Sequence, residues 1–259
     1  MTIGVIGDGF TDRYWVGRVR GQSAEAPIPI VDIEGKKDFP GGARNVAANL
    51  TSLGADCFYL ERIQQNYPTK NRLLTESGLQ LARWDEDDWC RPYERADLVE
   101  LVDADAIVVS DYAKGSVNEE VIQILRNFTG QVFVDTKRDP GAWIGSNAIL
   151  FPNLKEYEQY KQKYDWFPQV VLKRGPEGLA WMEYGHITFQ RASRANYVVS
   201  VNGAGDSVLA GFVRAYTEGW GIMAALEFAN EVAGVAVEKP FTSTVNLSEV
   251  GEWNAKSTN

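Results

Sequence analysis

A single histidine, His186, leaves almost no room for Ser-His or Cys-His nucleophilic schemes, so acid/base work in this chain falls to carboxylates. Cysteine is nearly as scarce. Cys57 and Cys90 cannot build a disulfide framework, and no Cys/His grouping has metal-ligand spacing, so both read as thiols of a reducing compartment. Basic charge is in deficit too: 26 Lys and Arg against 35 Asp and Glu give a net charge of −9. That balance excludes a nucleic-acid or anionic-membrane surface as the expected partner and favours a small molecule, with local basic residues meeting any phosphate. The first residues, Met1 to Asp8, lack both a basic segment and a long apolar run, so neither a signal peptide nor a membrane span is expected and the location expected is cytoplasmic. Also missing are a Gly-x4-Gly-Lys-Ser/Thr loop and the His-Arg-Asp and Asp-Phe-Gly triplets, so phosphoryl transfer would need another architecture.

What is present is enough apolar material, 44% of 259 residues, to bury the core of one α/β domain over 1–259. Its organising stretch is 198–219. Ser200-Val201-Asn202-Gly203-Ala204-Gly205-Asp206 runs into Val208, Leu209, Phe212, Val213 and Tyr216 at helical spacing, and Gly219 stands at the C-cap. Two glycines around an alanine admit a ligand to the backbone, and the free N–H groups of the helix's first turn favour an anion such as phosphate. Asp206 beside that anion suits a general base, or is an acidic first-turn residue complementing the helix dipole.

In chain order, a first strand ends at Asp8 and a polar turn carries Asp12, Arg13 and Tyr14. Prolines keep 26–31 extended, as an edge strand or part of a lid. Gly41-Gly42 then opens a helix with Ala43, Val46, Ala47, Leu50 and Leu53 on its apolar face. That pair is a plain tight turn or a second ligand approach, with Asn45 offering donor and acceptor to sugar hydroxyls. A strand is expected over 57–63, and 71–76 and 79–84 form a hairpin turning at Ser77-Gly78. Alternate polar positions suit an exposed lid or ordinary sheet extension.

From Asp103 strands alternate with helices, the pattern of a parallel sheet wrapped by helices. Ligands in such sheets bind beyond the carboxyl ends of the strands, where Asp8, Asp111, Asp135, Asn153 and Lys173 would project into one cleft. Asn153 and Glu156 share a face and could hold Mg²⁺ through water, or form a helix-capping pair. Gly175-Pro176-Glu177-Gly178 opens another hairpin, 179–184 with 186–190, and Asn230 in the last helix could wall a nucleotide base pocket.

Gly41-Gly42-Ala43-Arg44-Asn45-Val46-Ala47 and Gly203-Ala204-Gly205-Asp206 resemble the two signatures of the ribokinase-like (PfkB) carbohydrate kinases. Ser110-Asp111-Tyr112-Ala113-Lys114-Gly115, Phe151-Pro152-Asn153-Leu154-Lys155-Glu156 and Phe228-Ala229-Asn230 are similar, in order, to the heptose-7-phosphate kinase domain of the bacterial ADP-heptose pathway. The resemblance covers nearly the whole chain. It implies a Rossmann-like three-layer sandwich with a mostly parallel central sheet and a small β lid, contributed by about 13–38 and 67–88, through which a homodimer could form. It implies ATP and Mg²⁺ as cofactors, Asp206 as base, the loop Asn202, Gly203, Ala204 and Gly205 as anion hole, and Asn153 with Glu156 organising the metal. Asp8, Asp12, Gly41, Gly42, Asn45 and Lys114 would face the sugar phosphate; Lys173, Gly175, Gly178 and Asn230 would line the nucleotide side. The implied reaction is transfer of the γ-phosphate to a sugar or sugar phosphate, with the anomeric hydroxyl of D-glycero-D-manno-heptose 7-phosphate preferred. Another sugar of the same family, or a catalytically weak nucleotide- or sugar-phosphate-binding regulator, is the alternative. Two departures stand out: Ser200 replaces an acidic residue that helps hold a monovalent cation, and a strand and helix are missing between Arg62 and Tyr67.

Overall fold

The computed structural model describes residues 1–251; the last eight positions of the expected 1–259 span lie outside the described residues. The chain builds two sheets. The first contains β1 (Ile3–Gly7), β4 (Cys57–Tyr59), β7 (Ala106–Asp111), β8 (Gln131–Thr136), β9 (Ile149–Leu150), β10 (Val170–Lys173), β11 (Leu179–Glu183) and β12 (His186–Arg191). Their spatial order is β12-β11-β10-β9-β8-β7-β1-β4, parallel from β4 to β10 and antiparallel beyond. Every residue of β1, β7 and β10 is buried, which is why these segments read as continuous apolar runs, polar only at the carboxyl ends of β7 and β10, rather than as alternating ones.

Helices cover both faces. On one side α1 (Ala43–Ser52), α5 (Ala204–Thr217) and α6 (Ile222–Val237) form a core with the sheet. On the other, α2 (Glu119–Leu125) and α4 (Lys161–Tyr164) enclose a second core around Ile107, Val109, Val134 and Trp143. A short α3 (Leu154–Gln159) follows β9. The apolar stripe of α5 lies wholly inside: Leu209, Phe212 and Val213 are fully buried, each contributing on the order of 1.5–3 kcal/mol by leaving water. That burial fixes the helix, and with it the loop before it, against the sheet.

The second sheet is the lid, in the order β3-β2-β5-β6, from β2 (Gly9–Gln22), β3 (Pro29–Gly42), β5 (Thr69–Thr75) and β6 (Gln80–Glu86). The expected hairpin of 71–84 is present as β5 and β6. Two expectations need correction. Asp12, Arg13 and Tyr14 are not a turn but the middle of β2, which runs antiparallel to β3 from Gly9↔Gly42 to Gln22↔Pro29. Asp12 reads as a turn former in isolation; here it alternates with Arg13 on the pleat, and Arg72 of β5 neutralises it. The strand expected over 57–63 stops at Tyr59: Cys57, Phe58 and Tyr59 are registered against β1, and beyond them the Leu60 amide donates to the Val5 carbonyl as the pairing ends. With the segment before Tyr67 so short, β5 enters the lid directly and pairs parallel with β2.

Candidate active site

The carboxyl ends of the central strands, the start of α5 and the inner face of the lid enclose a cavity of about 610 Å³. Asp206 sits in it at the third position of α5 and is 3% exposed. One carboxylate oxygen accepts from the Asn45 amide at 2.8 Å and the other from the Tyr112 hydroxyl at 2.8 Å. Burial pushes its carboxyl up to about 6; the Asn45 and Tyr112 hydrogen bonds oppose the rise, Asp135 adds to it and Lys173 counters it. A buried carboxylate with both oxygens steered by donors, poised near neutrality, is suited to take a proton from a hydroxyl placed against it.

The backbone around Asp206 is shaped for an anion. Gly203, the residue before α5, takes a left-handed conformation with φ +77, and a Cβ there would stand 2.8 Å from the Asn45 amide that holds Asp206. The first-turn N–H groups of a helix have no acceptor within it, so the Gly205 and Asp206 amides are directed to the cavity end of α5. Gly41 is constrained for a different reason: a Cβ would run into the Phe10 ring at 2.3 Å and lie 2.9 Å from the Asp12 carboxylate. Gly42 closes β3 and precedes α1, putting Asn45 beside Asp206.

Across the floor runs a chain of charges. Asp135, at the end of β8, takes Lys173 at 2.5 Å and Lys137 at 3.1 Å. Burial works against its ionised form, but the two lysines outweigh it and hold its carboxyl below the usual range. Lys137 also reaches Glu156 at 2.7 Å. Glu156 and Asn153 form a reciprocal capping box on α3: the Asn153 side chain accepts from the Glu156 amide at 2.9 Å, and the Glu156 carboxylate accepts from the Asn153 backbone at 2.8 Å and side chain at 2.6 Å.

Of the residues expected at the site, Asp12, Asn153, Lys173, Gly175, Gly178, Asn202, Gly203, Ala204, Gly205, Asp206 and Asn230 line the cavity. Asn45 touches it through Asp206, and Glu156 stands behind Asn153. Asp8, Gly41, Gly42 and Lys114 do not line it. Asp8 is fully buried and accepts from the backbones of Tyr112, Lys114 and Ser116 and from the Ser116 hydroxyl, while the Lys114 ammonium is ion-paired with Asp88. Lys70, Arg72, Tyr112 and Lys137 line the cavity without having been singled out. The period-two pattern of 69–75 could have flagged Lys70 and Arg72 as one face of a strand; nothing local ties Tyr112 to Asp206, 94 residues away.

Fold and cleft together define a ribokinase-like α/β protein, one sheet carrying the site and a second covering it. The chain belongs to the pfkB family of carbohydrate kinases, whose model matches residues 74–249. It is 30% identical over 296 aligned positions to a bifunctional protein HldE of Vibrio parahaemolyticus, and equally to that of Hydrogenovibrio crunogenus; in each, 96% of this chain aligns with 62% of the relative. The chain thus spans less than two thirds of the curated relatives it matches, and the alignments exceed its own 259 residues, so the relatives carry residues it lacks. Among solved structures it is similar to Arabidopsis thaliana ribokinase complexed with ribose and ATP (TM-score 0.76, 19% identity, 96% of each chain). Escherichia coli phosphofructokinase-2 in complex with substrates and products aligns comparably (TM-score 0.75, 16% identity, 96% of this chain and 97% of that one). Among the described residues no helix is long and apolar enough to cross a membrane.

Proposed function

We propose that this chain is an ATP-dependent kinase of a sugar or sugar phosphate, with the anomeric hydroxyl of D-glycero-D-manno-heptose 7-phosphate as preferred acceptor. The observation that carries the reading is Asp206, buried at the start of α5 with its oxygens held by Asn45 and Tyr112. In this reading Asp206 takes the acceptor proton, and the amides that open α5 stabilise charge on the phosphoryl group in transit. Asp12 faces the acceptor from the lid; Lys173 meets nucleotide phosphate from the end of β10, with Gly175, Gly178 and Asn230 on the same side. The heptose preference is supported by the HldE relatives, and other family sugars are the alternative.

The donor set fits a hydrated Mg²⁺. One Glu156 oxygen is occupied by both Asn153 and Lys137, but the other accepts a single hydrogen bond and keeps a lone pair for a metal-bound water. Among the described residues no three His, Cys, Asp or Glu gather around one point, so water and phosphate would supply the remaining ligands. When bound, the ion would offset charge on the phosphates. The test is an ATP-consumption screen over sugars and sugar phosphates: turnover with heptose 7-phosphate exceeding all others supports the preference, and turnover with none removes the kinase reading.

Ser200 carries a separate expectation. Its amide donates to the Val237 carbonyl at 3.1 Å and its hydroxyl accepts from the Asn202 amide at 3.3 Å, so hydrogen bonds tie down the loop where the family pattern has a carboxylate. A neutral hydroxyl offsets the dehydration of a monovalent cation poorly. Exchanging Na⁺ for K⁺ at constant ionic strength is therefore expected to change the rate by less than about twofold. Saturable, severalfold activation by K⁺ would mean the loop binds the ion without the carboxylate.

A further inference from the structure

The inner face of the lid holds more cations than its own carboxylates neutralise. Asp12 is registered opposite Lys70, and Lys70 opposite Asp85, across β2, β5 and β6; one row on, Tyr14, Arg72 and Arg83 line up in the same way. Side chains two apart on a strand share a face, so three cations meet two carboxylates there. Arg72 takes Asp12 at 2.5 Å and Arg83 takes Asp85 at 2.7 Å. Lys70 is left over. Among the described residues no carboxylate oxygen lies within 4.0 Å of its ammonium.

Instead Lys70 rests on aromatic faces, 3.8 Å from the centroid of Phe10 and 4.6 Å from that of Tyr112, in the wall of the cavity. Burial is the main cause of its fall from 10.5 to about 8; Asp12 and Asp206 oppose the fall, while Lys114 and Arg83 deepen it. Cation–π contact offsets only part of the cost of withdrawing an ammonium from water, and an anionic ligand would offset the rest. The place is beside Asp206 and Asp12, where the acceptor is proposed to sit: the Tyr112 ring beneath Lys70 carries the hydroxyl that donates to Asp206, and Asp12 is the neighbour of Lys70 on the lid. Lys114, the cation expected here from the sequence, is taken by Asp88.

We propose that Lys70 is the residue by which the cleft selects a phosphorylated acceptor, its ammonium receiving the phosphate monoester of a sugar phosphate while Asp12 serves neutral hydroxyls. This rests on the kinase reading above and adds a charge requirement to it. Of the two lid cations that line the cavity, Arg72 is neutralised by Asp12 and Lys70 is not, so Lys70 discriminates by charge: an unphosphorylated sugar loses that interaction and leaves the cation unpaired.

The experiment uses the full chain, wild type and Lys70→Met, with Lys70→Gln as a second neutral variant. Calorimetry measures binding of D-glycero-D-manno-heptose 7-phosphate, the unphosphorylated heptose and ATP; steady-state rates follow for both acceptors. Neutral variants are expected to weaken heptose 7-phosphate binding and raise its KM about 10- to 100-fold, leaving the free sugar and ATP within about twofold. Thermal unfolding should be unchanged or raised, since an unpaired cation is removed from a partly buried site. A fall in kcat for both acceptors with unchanged KM would overturn the proposal and assign Lys70 to the transferring phosphoryl group; weakened ATP binding would assign it to the nucleotide. Turnover of free sugars with no preference for their phosphates would also overturn it while leaving the kinase reading intact. Because binding needs no turnover, a Lys70-dependent loss of sugar-phosphate affinity in a chain without kinase activity would uphold the anion site and sink only the catalytic reading.

Discussion

Asparagine in place of Asp206 is expected to lower kcat by roughly 10²-fold or more while ATP affinity stays within about twofold. The amide keeps the size of the side chain and one acceptor for Asn45 or Tyr112, but it cannot take a proton from an attacking hydroxyl. The parent enzyme should lose activity as pH falls through about 6, where Asp206 becomes protonated, and the variant should lose that limb of the profile. Stability should move the opposite way. The folded-state pKa of about 6 lies above the ordinary 3.8, so the proton on Asp206 favours the fold at low pH, and that contribution is lost as pH rises from about 4 through about 6. At pH 8 the parent carries a buried charge that the variant does not, and Asp206→Asn should be more stable by on the order of 1–2 kcal/mol in urea. Near-normal turnover in the variant would remove Asp206 from the mechanism.

How much of this was legible in the sequence depended on how local each signal is. The central sheet was readable because its parallel strands are buried on both faces: 106–111 and 170–173 are apolar runs that become polar only at their carboxyl ends, and the structure buries every residue of both. The start of α5 was readable because glycines, a carboxylate and a helical apolar stripe follow one another within one stretch. The lid was harder. Its hairpin showed through Ser77-Gly78, but β2 carries Asp12 and Arg13, whose turn-like character disappears only when Arg72 and Asp38 pair with them across the sheet. Charge partners from other strands decide such residues, and no window of sequence contains them. The same is true of Tyr112, whose hydroxyl matters because folding brings it to Asp206, and of Lys70, which folding places in the cavity wall without a carboxylate while Lys114 lies outside that wall and pairs with Asp88.

Asp8 gives the sharpest contrast between position along a strand and role. It follows β1, where a residue of a parallel sheet ordinarily points to ligand, and it was expected to face the sugar phosphate. In the structure its carboxylate accepts four hydrogen bonds between 2.6 and 3.0 Å, three from backbone amides of 112–116 and one from the Ser116 hydroxyl. These amides follow β7 in a loop that includes Ala113 at φ +60, a conformation a non-glycine residue holds only when its surroundings enforce it. The loop presents Tyr112 to Asp206, so Asp8 acts on the site through the backbone. Asp8→Asn would keep one acceptor and turn an NH₂ toward donors that have no other partner, each lost charge-assisted bond costing about 1.5–3 kcal/mol. A net destabilisation of about 3 kcal/mol is therefore expected, read as a lower urea midpoint with an unchanged slope. In the folded fraction kcat should fall as Tyr112 loses its anchor, while the KM for the acceptor moves little. A variant of parental stability whose acceptor KM rises severalfold would instead return Asp8 to the substrate side of the cleft.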